Sequence, residues 1–148
     1  GISIVSTRCL DLEQGSSQLA PSCFDRILLD APCSGLGVMR RNPDIKWHRS
    51  EKDLAKYTAR QLRLLENLAH AVKPNGVLVY AVCSPEPEEN EAVIHQFLKK
   101  HDNFGIHDQC GQLPDNIGKT AVIDGYLNTY PHLTQMDGFF SARLQRIP

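Results

Sequence analysis

A chain of 148 residues, 41% hydrophobic and 22% charged, holds enough apolar material for one core and has the balance of a single folded domain. No apolar run approaches the roughly 18 to 20 residues that cross a bilayer, and the opening residues lack a basic-then-apolar leader, so no membrane partner and a cytoplasmic setting are expected. Five widely spaced cysteines without a Cys-x-x-Cys pair argue against a disulfide framework, and six histidines without ligand spacing give no metal site.

In chain order, Ile2 and Ile4 alternate within GISIVSTR, which predicts a short first strand, and a Ser-, Gly- and Pro-rich loop follows. FDRILLD, Phe24 to Asp30, has a nearly continuous apolar centre. Such a run suits a strand covered on both faces, as in a parallel sheet, and Pro32 stops it. Between Arg40 and Arg63 eight basic residues stand against three acidic ones, a local balance of +5. This is either a face for an anionic partner or a solvated helix surface.

From Ser50 a pattern recurs at three and four positions: Leu54, Tyr57, Gln61 or Leu62, Leu65, Leu68, Ala69 and Val72. That spacing predicts an amphipathic helix, with Ser50 and Asp53 as a capping box and Lys73 to Gly76 as the turn that ends it. VLVYAVCS, Val77 to Ser84, predicts a second buried strand and completes a strand–helix–strand unit. A second helix runs from PEPEEN to about His101, with Val93, Ile94, Phe97 and Leu98 inward. Glu86, Glu88, Glu89 and Glu91 read as helix-start charges, balanced by Lys99 and Lys100 at the other end. Residues 105 to 132 are less regular, and GFFSARLQR predicts a last strand.

Ligands of open α/β sheets sit beyond the carboxyl ends of the strands. Asp30 and Cys33 leave one such end and Cys83 leaves the next. If the two strands are neighbours, about 4.8 Å apart, both thiols face one crevice. A single buried cysteine is ordinarily packing, but two at equivalent strand ends, one beside a carboxylate, read as a reactive pair. A cysteine hydrolase or redox protein is a competing reading, weakened by the lack of a histidine near either strand end and of Cys-x-x-Cys. A catalytically silent RNA-binding fragment is another.

FDRILLDAPCSGLGVMRRNPDIKW, followed by VLVYAVCSPEPEEN and a terminal DGFFSARL, resembles the Sun family of RNA cytosine-5 methyltransferases, of the bacterial RsmB-like type acting on ribosomal RNA. The likeness covers nearly the whole chain. It departs from the family at VKPNG, where Leu and Gly-Gly are common, and at Ala-Val before Cys83, where Ala-Thr is usual. The resemblance implies an α/β fold, a Rossmann-like class I methyltransferase sheet truncated at the N-terminal side. Residues 1–148 would be the C-terminal part of an S-adenosylmethionine-dependent domain, without its first strands and glycine-rich loop. Such a piece is expected to bind S-adenosylmethionine poorly and to turn over nothing alone. The close pair Gly35 and Gly37 lies inside the DAPCSG loop and is not a cofactor fingerprint.

By the same resemblance Cys83 is the nucleophile that adds to carbon 6 of cytosine. A thiol titrating near 8.5 must be activated for this by nearby donors or positive charge, of which the helix that follows is one source. Asp30, kept protonated in a dry crevice, would donate to N3 of the base and also lie along the methionine part of S-adenosylmethionine. Cys33 would release the product. Asp11 would hold the cofactor's adenine, and Arg40, Arg41 and Lys46 would hold RNA phosphates. Trp47 reads as a packing residue rather than a platform for a base.

Overall fold

In the computed structural model, which describes residues 1, 3–15, 19–107, 113–114 and 121–148, the two apolar runs become parallel neighbours, β1 (Phe24–Asp30) and β2 (Val72–Val82). The connection between them carries a short helix α1 (Ile45–His48) and a long one, α2 (Glu51–Ala69). Asp53 opens α2 by accepting from Ser50 N at 3.0 Å and Ser50 Oγ at 2.8 Å, which satisfies donors that the first turn leaves unpaired. The face that α2 buries is Gln61, Leu64, Leu65, Leu68 and Ala69.

The strand–helix–strand unit is thus present, but its turn differs from the expectation. Lys73 to Gly76 do not separate helix from strand. They bulge out of β2 itself, between Val72 opposite Phe24 and Val77 opposite Arg26, and Asn75 takes the left-handed conformation there at φ 63°. Asn tolerates that region better than most residues.

Strand β6 (Phe139–Arg146) lies antiparallel on the other side of β2. Its far edge is shared by β3 (Phe104–Ile106) and β5 (Tyr126–Thr129), and β4 (Val122–Ile123) closes a hairpin on β5. Asp124 and Gly125, at φ 52° and 83°, form the two-residue turn of that hairpin. Among the described residues the sheet order is β1-β2-β6-β5-β4, with β3 beside β6. Helix α3 (Glu91–Lys100) packs beside α2, and a one-turn helix α4 (Pro131–Thr134) precedes β6.

The core occupies one face of this sheet. Leu78, Tyr80 and Val82 of β2 and Phe140, Ala142 and Leu144 of β6 alternate toward the helices and are wholly buried against Leu65, Val93, Ile94 and Phe97. The opposite face is less fully covered, and Leu28 in β1 is 69% exposed. The expectation that β1 is covered on both faces is therefore corrected. Ile27 and Leu29 meet the core, whereas Arg26 and Leu28 point to the uncovered side of a terminal strand.

The predicted first strand is also corrected. Residues 3–10 carry no strand, and Ile4 is 93% exposed. Alternation over so few residues buries nothing without a partner edge. No described helix is long and apolar enough to cross a membrane.

Candidate active site

The carboxyl ends of β1 and β2 emerge side by side. Pairing continues one residue past Asp30, with Ala31 N donating to Ala81 O at 2.9 Å. Pro32 has no N–H to extend the ladder, so the chain turns away. Gly35, at φ 77°, bends it into a 3₁₀ turn, Leu36–Val38. Gly37 N then donates to Cys83 O at 2.9 Å, and Gly37 O accepts from Gly138 N at 2.8 Å. A Cβ on Gly37 would lie 1.9 Å from Gly138 O, so this loop packs backbone against backbone. The start of β6 and the ends of β1 and β2 are locked into one corner.

In that corner Cys33 Sγ lies 3.2 Å from Cys83 Sγ, although 50 positions separate them. Both thiols are half-buried. The Cys83 thiol is lowered to about 7, chiefly because Cys33 donates a hydrogen bond to it; burial and the charges of Asp30 and Glu89 oppose that shift. The same bond, with burial, pushes the Cys33 thiol far up. Of the two, Cys83 is therefore the more readily deprotonated thiol and Cys33 the one that holds its proton. The largest influence on Cys83 is thus a nearby donor, one of the sources the sequence called for.

Asp30 projects from the end of β1, near enough for its charge to act on Cys83. Its carboxylate is exposed and has no side-chain hydrogen bond or ion pair among the described residues. Among the described residues no strand pairs with the edge of β1 beside it, and the carboxylate faces open space there.

Glu89 is the residue that the sequence reading missed. Taken for a helix-start charge, it is fully buried. Its Oε1 accepts from Ser34 N at 2.9 Å and Gln61 Nε2 at 2.9 Å, and its Oε2 accepts from Ser34 Oγ at 2.5 Å and Ser84 Oγ at 2.6 Å. The signal was the Cys-Ser step repeated at both strand ends, which sets two hydroxyls in need of an acceptor behind the two thiols.

Asp11 lies on a separate segment, where it caps the 3₁₀ turn Leu12–Gln14 and accepts from Glu13 N at 3.1 Å and Gln14 Nε2 at 2.7 Å. Asn67 of α2 holds that turn through Leu12 O at 2.7 Å. Arg40 and Arg41 both pair with the nearly buried carboxylate of Asp137, Arg41 at 2.9 Å. Lys46 is exposed, with Nζ 4.6 Å above the ring of Trp47. Trp47 is 75% exposed, which corrects its reading as packing: the four-residue helix α1 gives it no face against the core. Cys110 lies outside the described residues. Among the described residues no group of three or more His, Cys, Asp or Glu could hold a metal ion.

A parallel βαβ unit followed by an antiparallel strand, with its chemistry at the strand ends, has close structural counterparts. The solved structure of PH0851 superposes with a TM-score of 0.87 at 33% identity, covering 99% of this chain and 32% of that one. NSun6 from Pyrococcus horikoshii with SFG gives 0.66 at 26% identity, covering 82% and 29%. The fold is the Rossmann-like fold of Sun-family methyltransferases.

A family model described as 16S rRNA methyltransferase RsmB/F matches residues 1–145, and the chain belongs to that family. It is 37% identical over 147 residues to the probable ribosomal RNA small subunit methyltransferase B of Bacillus subtilis (strain 168), covering 99% of this chain and 33% of the relative. It is 43% identical over 121 residues to ribosomal RNA small subunit methyltransferase B of Salmonella arizonae, covering 82% and 26%. The chain thus spans about a third or less of the length of these relatives.

Proposed function

We propose that this chain carries the reacting groups of an RNA cytosine-5 methyltransferase that acts on 16S ribosomal RNA. The observation that carries the reading is the 3.2 Å contact between two thiols of unequal acidity at the ends of adjacent parallel strands. Carbon 5 of cytosine is a poor nucleophile until a thiolate adds to carbon 6. Cys83, lowered to about 7, supplies that thiolate near neutral pH. Asp30, at the mouth of the site, faces N3 of the base, where a hydrogen bond limits charge build-up on the ring. Cys33, which keeps its proton in the resting pair, takes part after carbon 5 has been methylated, when the carbon 5 proton leaves and the Cys83 adduct is eliminated.

The residues present suit S-adenosylmethionine where they would touch it. Asp30 offers a carboxylate with no competing ion pair to a cationic methionine moiety. Asp11 keeps a spare lone pair on each oxygen for an adenine amine. When bound, this cofactor supplies an electrophilic methyl group. Residues 1–148 form the C-terminal part of the catalytic domain in this reading, and the unpaired edge of β1 is where further strands of the sheet join. Lys46, with Arg40 and Arg41 anchored on Asp137, forms the phosphate-facing surface, and exposed Trp47 beside Lys46 offers a ring for an unstacked base.

The test is trapping with RNA that contains 5-fluorocytosine, in the full-length protein with cofactor, because fluorine at carbon 5 blocks release of the adduct. A stable protein–RNA adduct is expected, and Cys83→Ala abolishes it. With ordinary RNA, Cys33→Ala accumulates an adduct that the unsubstituted protein does not. Equal, adduct-free loss of activity in both variants would refute the assignment. The thiol contact would also serve disulfide chemistry, and a persistent adduct at Cys83 separates the two readings.

A further inference from the structure

We propose that Glu89 is a positioning residue: its buried side chain ties together the two loops that carry Cys33 and Cys83 and so sets the distance between their sulfurs. The inference rests on the assignment of those cysteines as the reacting pair and adds to it what holds them in place.

Ser34 directly follows Cys33, and Ser84 directly follows Cys83. One carboxylate receives the backbone N–H and hydroxyl of the first and the hydroxyl of the second. Gln61 reinforces the link by donating both to Glu89 Oε1 and, at 3.1 Å, to the carbonyl of Pro32, the residue before Cys33. Glu89 is itself held, since Tyr80 Oη donates to its carbonyl at 2.6 Å and Asn90 Nδ2 reaches back to Ser84 O at 3.2 Å. Each cysteine is therefore flanked by a residue that is bonded to the same buried group or to its direct partner.

Two costs make a merely space-filling role a poor explanation. Burying a carboxylate is unfavourable unless nearly all its lone pairs are engaged, and four donors converge to engage them. Its negative charge also opposes ionisation of Cys83. That charge is the smallest of the influences on Cys83, so what Glu89 can add to an activated thiol is geometric. That contribution is the Cys33 donor contact, which falls off steeply once the sulfurs separate.

Charge alone predicts no change when the carboxylate is kept and only its reach is altered, whereas geometry predicts one, which makes the inference testable in the intact protein without RNA or cofactor. Glu89→Asp keeps the charge but shortens the reach, and Ser84→Ala removes one of the four donors with little risk to folding. The readouts are the pH midpoint of Cys83 alkylation by iodoacetamide, followed by peptide mass spectrometry, and the rate at which diamide closes the Cys33–Cys83 disulfide. Diamide accepts the two thiol protons and two electrons as the S–S bond forms.

Glu89→Asp is expected to raise the alkylation midpoint by about one unit and to slow disulfide closure about tenfold, the loss expected when two groups are no longer held in register. Ser84→Ala is expected to move both in the same direction by less. An unchanged or lowered midpoint, or an unchanged closure rate, in Glu89→Asp overturns the proposal; if that variant does not fold, Ser84→Ala decides by the same criteria. A failed 5-fluorocytosine trap with these shifts intact would refute the methyltransferase reading alone. A successful trap without them would refute only the role of Glu89.

Discussion

Proton placement between two sulfurs decides which of them can attack. Cys83 is lowered to about 7 mainly by the Cys33 donor, so Cys33→Ala should raise the midpoint of Cys83 alkylation toward the ordinary thiol value of roughly 8.5. The same pH titration by iodoacetamide, read at Cys83, checks it; a midpoint that stays near 7 would mean that the backbone, not Cys33, holds the thiolate. The pairing of thiols was legible in the sequence because two strand ends, each with Cys-Ser, imply one mouth. Glu89 was not, because its burial depends on donors from three separate segments, carrying Ser34, Gln61 and Ser84. The basic stretch was legible only as a charge count. Its anchor, Asp137, lies 96 and 97 positions beyond the two arginines it holds.

Among the elements, the loop after β1 is the most constrained, and Gly37 shows why. Any side chain there must displace the backbone of Gly138, the carbonyl of Cys83, or both. Gly37→Ala is expected to destabilise the protein by about 1–3 kcal/mol, the usual cost of overpacking, and to slow disulfide closure between Cys33 and Cys83 as the loop shifts. Denaturant unfolding and the diamide rate measure the two effects; a variant of unchanged stability would show that the corner is slack. Helices α2 and α3 and strands β2 and β6 could be read from periodicity, since each buries one face against a common core. Strand β1 could be located but not its exposure, because an apolar run records what a strand can bury and not which neighbours are present. The hairpin of β4 and β5 carried its own cue in Asp124-Gly125, set between two runs too short to stand out.

Over the whole molecule, acid acts through groups that titrate in separate ranges. His101 stacks on Phe97 with ring centroids 4.4 Å apart, and burial lowers its pKa from 6.5. Folding favours the neutral ring, so this contribution is complete above pH 6.5 and is lost as pH falls through that value toward the folded one. Asp25 and Asp53 are lowered from 3.8, Asp53 to about 2, by their bonds to Lys73 and to Ser50 and Lys56, so what they contribute survives until pH falls below 3.8. Between pH 7 and 5 the thermal midpoint should therefore drop, and His101→Gln should flatten that dependence. Parallel slopes in the two proteins would assign the loss to other groups.

The open flank of β1 has a bearing on how this polypeptide behaves in solution. Its outward amides and carbonyls are a template in search of a partner, and Leu28 beside them adds a sticky surface. At high concentration two molecules can satisfy each other along that flank, so self-association that grows with concentration is the behaviour expected of this chain.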